Sequence, residues 1–170
     1  MEGIGIERVG PDAWQRFRAV RLRALADSPD AFGTLLAEDE ARPLSDWRAR
    51  LDIRENANFL ATAPGGDIGI VVGTPWDSDG IERAAGLFAM WVAPEARGTG
   101  VGGALVDAVI AWARDGEFDR IVLDVADTNS AAIALYASRG FVPTGRTGTL
   151  DPPREHVLEH ERALELSVPD

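Results

Sequence analysis

Three apolar runs in the middle of this chain are joined by connections too short for anything but reversal. The runs are NFLATA (Asn58–Ala63), IGIVVGTPW (Ile68–Trp76) and IERAAGLFAMWV (Ile81–Val92), and the separators are PGGD and DSDG. Clusters of Pro, Gly and Asp make hairpin turns. A parallel pair of strands needs a crossover of a dozen or more residues. The middle of the chain is therefore an antiparallel meander, which excludes a doubly wound sheet there.

The flanks complete a mixed architecture. IGIERV (Ile4–Val9) alternates apolar and polar residues as a half-buried strand does, and Gly10 and Pro11 end it. Pro11 and Asp12 open a helix to about Ala26, with Trp14, Phe17, Val20, Leu22 and Leu25 near helical spacing. DSPDAFG breaks it, and Ser45 caps a second helix carrying Trp47 and Leu51. After Val92, APEA leads into a glycine loop. A helix then runs to about Arg114 with Val101, Leu105, Val109 and Trp112 on one stripe, and RIVLDVA (Arg120–Ala126) is a buried strand. The strands joined across that helix form one parallel pair. A shorter helix over Ser130–Ser138 stops at Gly140, and GFVPTG and EHERALEL are two final strands. The expected class is α+β (mixed α/β), a single domain over residues 1–170. It has a mostly antiparallel sheet of six to seven strands and about four helices.

Composition narrows the chemistry. There is no cysteine, hence no disulfide, thiolate metal site or cysteine nucleophile, and with two histidines a histidine-built metal site is not expected. All 17 basic residues are arginine, which excludes a Schiff-base lysine and a Walker-type loop. The net charge of −11 repels a phosphate backbone and argues against nucleic acid as partner, while it suits a cationic amine. No apolar run approaches a membrane span, and MEGIGIERVG lacks the features of a signal peptide. A soluble cytoplasmic protein is the expectation.

The glycine loop, RGTGVGGALVDAV (Arg97–Val109), has two spellings. Gly98, Gly100 and Gly103 spell the dinucleotide fingerprint, and Asp124 follows Gly103 by 21 positions, near the place of a ribose ligand. Arg97, Gly100 and Gly102 spell a different phosphate loop. Either works by the same physics: convergent backbone N–H groups at a helix N-terminus hold an anion. The surroundings decide against the nicotinamide cofactor. APEAR separates the strand from the first glycine, an antiparallel meander precedes the loop, and Asp124 lies mid-strand.

The second spelling fits its context. VAPEARGTGVGGALVDAVIAWA resembles the coenzyme A signature of the GNAT (Gcn5-related) N-acetyltransferases at Val92, Pro94, Arg97, Gly100 and Gly102. VADTNSAAIALYASRGFVPTGR resembles the family's later motif at Asn129, Tyr136, Gly140 and Phe141. Together they cover about Ala85 to Gly145, and the order β-α-α-β-β-β-α-β-α-β-β agrees.

The resemblance implies acetyl-coenzyme A as cosubstrate, no metal, direct transfer to a primary amine, and a splay at the one parallel pair. Cofactor contacts map to the backbone of Met90, Trp91 and Val92, and to Arg97, Gly98, Thr99, Gly100, Val101, Gly102 and Gly103. Tyr136 maps to the acid that meets the leaving thiol, and Val92 N–H to an oxyanion donor. Asn129 either bonds the pantetheine or caps its helix. Asp124 stands where related enzymes carry a glutamate base. Glu82, Glu38 and Glu40 are alternatives, and a water chain without any side-chain base is another. The acceptor amine is expected against Ser28–Pro43 and the last hairpin, with the acidic AEDEA favouring a cation. A homodimer through the last strands is compatible with the family. A non-catalytic acyl-coenzyme A sensor is the alternative function.

Overall fold

The computed structural model describes residues 3–78 and 80–166, the side chains of Ser78 and Glu82 excepted. Its sheet has seven strands: β1 (Gly5–Val9), β2 (Ala57–Ala63), β3 (Gly66–Ser78), β4 (Ile81–Val92), β5 (Arg120–Ala126), β6 (Val142–Thr149) and β7 (Leu158–Glu165). They lie in the order β1-β2-β3-β4-β5-β7-β6, and every pair is antiparallel except β4 with β5. The α-helices are α1 (Trp14–Asp27), α2 (Leu36–Glu40), α3 (Leu44–Leu51), α4 (Val101–Asp115) and α5 (Ser130–Ser138). None is long and apolar enough to cross a membrane.

Local chemistry accounts for most of this. Ala63 pairs with Gly66 and Ser78 with Ile81 at the two reversals of the meander, and Leu105, Val109 and Trp112 of α4 pack over Gly69 and Gly73 of β3. The opposite face of the sheet takes α1, whose Phe17 meets Trp47 of α3 at 6.4 Å between ring centroids. Both side chains are fully buried. Among the helices, three features differ from expectation. Pro11–Ala13 is a separate 3-10 turn ahead of α1. A fifth helix, α2, occupies residues expected to be loop, because Glu38 accepts a hydrogen bond from Leu35 N–H at 2.9 Å and so caps a turn. α3 starts at Leu44 after Pro43, so Ser45 lies inside its first turn and makes no cap bond.

The feature that matters for function is at the parallel pair. β4 and β5 pair only where Ala84, Ala85 and Gly86 face Arg120, Ile121 and Val122. Past Gly86 the two strands part. On the other edge of β4, Ile70 faces Trp91 and Val72 faces Phe88, so β4 carries one extra residue, a β-bulge. Ala89 sits in it at a φ of 57°. A left-handed conformation costs an L-residue roughly 1–2 kcal/mol. The strain is held by the paired strand on both sides of the bulge, and it re-aims the end of β4 away from β5.

Candidate active site

The glycine loop ends on Gly100, the N-cap of α4, at a φ of 91°; Gly98 has a φ of 75°. Both angles belong to glycine. A Cβ on either would meet no protein atom within 4 Å, so the space above them is open to a ligand. The first helical bond of α4 runs from Ala104 N–H to Gly100 C=O at 3.1 Å. Val101, Gly102 and Gly103 therefore present N–H groups with no intrahelical acceptor, at the positive end of a 15-residue helix. Thr99 closes the loop by donating its hydroxyl to Ala96 C=O. These residues make an anion seat of the kind a diphosphate fits.

The seat opens onto the splay. Ala93 N–H donates to Ile68 C=O at 2.8 Å across the β3 edge. Backbone groups alternate along a strand, so Val92 directs its N–H and C=O to the other side, into the gap. Its C=O accepts Arg97 Nε–H at 3.1 Å, which leaves the N–H as the donor facing the opening. A cavity of about 550 Å³ lies beside it, lined among others by Met90, Asp124, Asn129 and Tyr136, and Gly102 of the loop packs against Met90. The motifs from separate parts of the sequence thus meet at one wall.

Their states differ. Tyr136 is 5% exposed and packs edge-on against Phe141 at 5.8 Å. Among the described residues its hydroxyl has no hydrogen-bond partner, and burial pushes its ionisation well above the usual range. It is a protonated donor at neutral pH. Asp124 reaches the cavity, but the surrounding protein raises its pKa, the facing Glu161 raises it further, and Arg146 offsets part of this. Glu159, on the same wall, is raised by burial and then by Asp124. Asn129 caps α5, its Oδ1 accepting Ala132 N–H at 3.2 Å, and the same residue lines the cavity.

Two side chains of these motifs serve the fold. The Trp91 side chain is buried away from the cavity and donates its indole N–H to Asp27 Oδ2 at 2.9 Å. Arg97 also turns back, to the same oxygen at 2.6 Å. Asp27 thus ties the end of α1 to the end of β4 and to the loop. Trp91, Ser28 and then Arg97 hold its carboxyl down to about 2. A carboxyl lowered on folding contributes stability above its ordinary value of 3.8, and loses it as the pH falls toward that lowered value. Asp27→Ala is expected to cost about 1–2 kcal/mol, roughly 2–8 °C for a chain of this size. Melting curves should show that deficit at neutral pH and a smaller one in acid.

The acidic stretch AEDEA contributes no carboxylate to the cavity. Glu38 caps α2, Glu40 does not line the wall, and Asp39 is fully buried between Arg21 at 3.0 Å and Arg42 at 3.1 Å. That corrects the expectation of a cation-selecting acidic loop and removes Glu38 and Glu40 as bases. The Glu82 side chain lies outside the described residues. The loop containing Phe32 and Gly33 does cover the acceptor side. Arg154, between β6 and β7, donates to Pro29 C=O at 2.8 Å, Phe32 C=O at 3.0 Å and Gly33 C=O at 2.8 Å. Asn58, Arg21, Arg50 and Glu159 line the cavity without having been singled out. Two left a trace: Asn58 interrupts an apolar run, and Arg21 occupies a core position between Phe17 and Leu25.

Comparison with known proteins agrees with this geometry. The acetyltransferase (GNAT) family model matches residues 21–141. The mycothiol acetyltransferase of Salinispora arenicola (strain CNS-205) is 33% identical over 150 residues, covering 82% of this chain and 45% of that protein. Human N-acetyltransferase 8 is 32% identical over 101 residues, covering 59% of this chain and 44% of that protein. The chain spans about half the length of the curated relatives it matches. A solved structure of yncA from Salmonella typhimurium, with its cofactor acetyl-CoA, superposes with a TM-score of 0.79 at 19% identity over 99% of both chains. With the family match spanning the glycine loop, the splayed pair and Tyr136, the chain belongs to the acetyltransferase (GNAT) family.

Proposed function

We propose that this chain transfers the acetyl group of acetyl-coenzyme A directly to a primary amine. The observation that carries this reading is the opening between β4 and β5, with an anion seat at one end and a protonated, unpartnered tyrosine on its wall. In the reaction the amine nitrogen bonds to the acetyl carbon, the carbon–sulfur bond breaks, and sulfur leaves with the electron pair. The backbone N–H groups of Gly98, Thr99, Gly100, Val101, Gly102 and Gly103 hold the diphosphate. Arg97 fixes that loop through Asp27 and Val92. The free edge of β4 from Met90 through Trp91 to Val92 receives the pantetheine as an added strand would be received. Val92 N–H faces the developing oxyanion. Tyr136 gives its proton to the departing sulfur, and the second proton shed by the nitrogen as the amide forms restores the tyrosine. Asp124 takes the proton of the incoming ammonium, and its raised pKa suits a base better than that of an ordinary carboxylate.

Thiol release from acetyl-coenzyme A across a panel of amines tests the reading. Turnover with one N-acetyl product per thiol supports it. Binding of the cofactor with no release for any amine supports a sensor instead. Asp124 has its own test. Asp124→Asn should lower kcat/KM about 10²–10⁴-fold and remove the acidic limb of its pH profile, which lies above the ordinary aspartate range. The stability sign is opposite. A carboxyl raised on folding favours the folded state only at low pH, and that contribution is lost as the pH rises through the raised value. The variant should therefore melt no lower, and slightly higher, than wild type at neutral pH. Unchanged activity would leave proton removal to water.

A further inference from the structure

The acceptor cavity is electrically two-ended. Asn58, Val72, Phe88 and Asp124 lie in one row across β2, β3, β4 and β5. Asn58 faces Val72, Val72 faces Phe88, and Phe88 and Asp124 each lie two residues beyond the paired Gly86 and Val122. All four line the cavity. The β5 end is acidic, with Asp124 and Glu159. The middle is apolar, and Trp76 lies 5.0 Å from Phe88 between ring centroids.

The β2 end is cationic. Arg21 and Arg42 share the single carboxylate of Asp39. Arg50 stands over the rings of Trp47 at 5.5 Å and Phe17 at 6.0 Å, and among the described residues it has no carboxylate bound to it. Three guanidiniums therefore face one carboxylate. Asn58 beside them is 3% exposed, and among the described residues its amide has no hydrogen-bond partner. Both the Asn58 amide and the Arg50 guanidinium line the cavity, where a ligand anion can take hydrogen bonds from them. The Arg50 pKa is lowered to about 10, first by burial and then by Arg21, with Asp39 offsetting part of this, so it remains charged at neutral pH.

We propose that the acceptor is a primary amine bearing a carboxylate at the far end of a short apolar body, the amine at Asp124 and the carboxylate on Arg50 and Asn58. This rests on the acetyl-transfer reading and narrows its substrate class. A guanidinium binds a carboxylate through two parallel hydrogen bonds, and the Asn58 amide supplies a further donor. The separation argues for an extended molecule. Three strand spacings of ~4.8 Å, widened where β4 and β5 part past Gly86, put Asn58 and Asp124 at least roughly 14 Å apart, which is too far for the amine and carboxylate of one α-amino acid to reach both. A short peptide fits.

The test compares alanyl-phenylalanine with its C-terminal amide, which differ only in that charge. Binding is measured calorimetrically on the free and the coenzyme A-saturated protein, and turnover by thiol release. The dipeptide should bind at least about tenfold more tightly and be acetylated with a correspondingly higher kcat/KM. Arg50→Gln should abolish that preference. Arg50→Lys, which keeps the charge and loses the two-pronged geometry, should restore part of it, and melting curves check that both variants fold. Equal binding of acid and amide, or no binding of either, overturns the inference even if other amines are acetylated. Selective dipeptide binding without thiol release upholds it and counts against acetyl transfer alone.

Discussion

Tyr136→Phe is expected to lower kcat by about 10²–10⁴-fold, the usual worth of a positioned general acid, while coenzyme A binds as tightly as before. The substitution removes one oxygen and nothing else. The ring keeps its edge contact with Phe141, so the wall of the cavity stays in place. The lost hydroxyl belongs to a residue that lines the cavity, and it makes no hydrogen bond within the described chain. Its removal should therefore leave the melting temperature unchanged or slightly raised. That combination separates the acid from a packing residue. A structural tyrosine would lose stability and keep its rate. A Tyr136→Phe protein as fast as wild type would show that the thiolate takes its proton from water.

Gly100→Val should act on the other substrate. At a φ of 91° a β-branched side chain is strained whatever the space around it. The cost is roughly 1–2 kcal/mol, visible as a lower melting temperature. Its Cβ would also enter the open space above the loop, where no protein atom lies within 4 Å. The KM for acetyl-coenzyme A is expected to rise by at least about tenfold, with kcat at saturation much less affected, because the reacting atoms lie at the other end of the splay. An unchanged KM would place the diphosphate elsewhere.

The parts of this molecule that were legible in the sequence are those fixed by local chemistry. PGGD and DSDG could only reverse the chain, and Gly98 and Gly100 mark a loop whose shape excludes side chains. Asn129 and Tyr136, seven positions apart, occupy the N-cap and the last turn of α5. The short helix α2 was hidden because Leu35 is no ordinary cap; the cap comes from Glu38 reaching back. β6 runs past the GFVPTG stretch to Thr149, an extension the sequence does not mark because every residue of the strand is exposed and shows no alternation. It is an edge strand whose order comes from pairing with β7. The bulge at Ala89 has no glycine or proline to announce it. The buried charges were illegible for a related reason. Arg21 and Asp39 are 18 residues apart, and only the packing of α2 against α1 shows that the acidic stretch serves the core and not the acceptor. Arg154 and the loop it grips are more than 120 residues apart.

Mass spectrometry of a single turnover tests the central claim most directly. The protein is mixed with acetyl-coenzyme A and an amine, quenched, and all products are weighed together. Direct transfer at the β4–β5 opening predicts free coenzyme A and N-acetylated amine in equal amounts, with the protein at its original mass throughout. Cofactor bound intact beside unmodified amine, or an acetyl group appearing first on the protein, would contradict it.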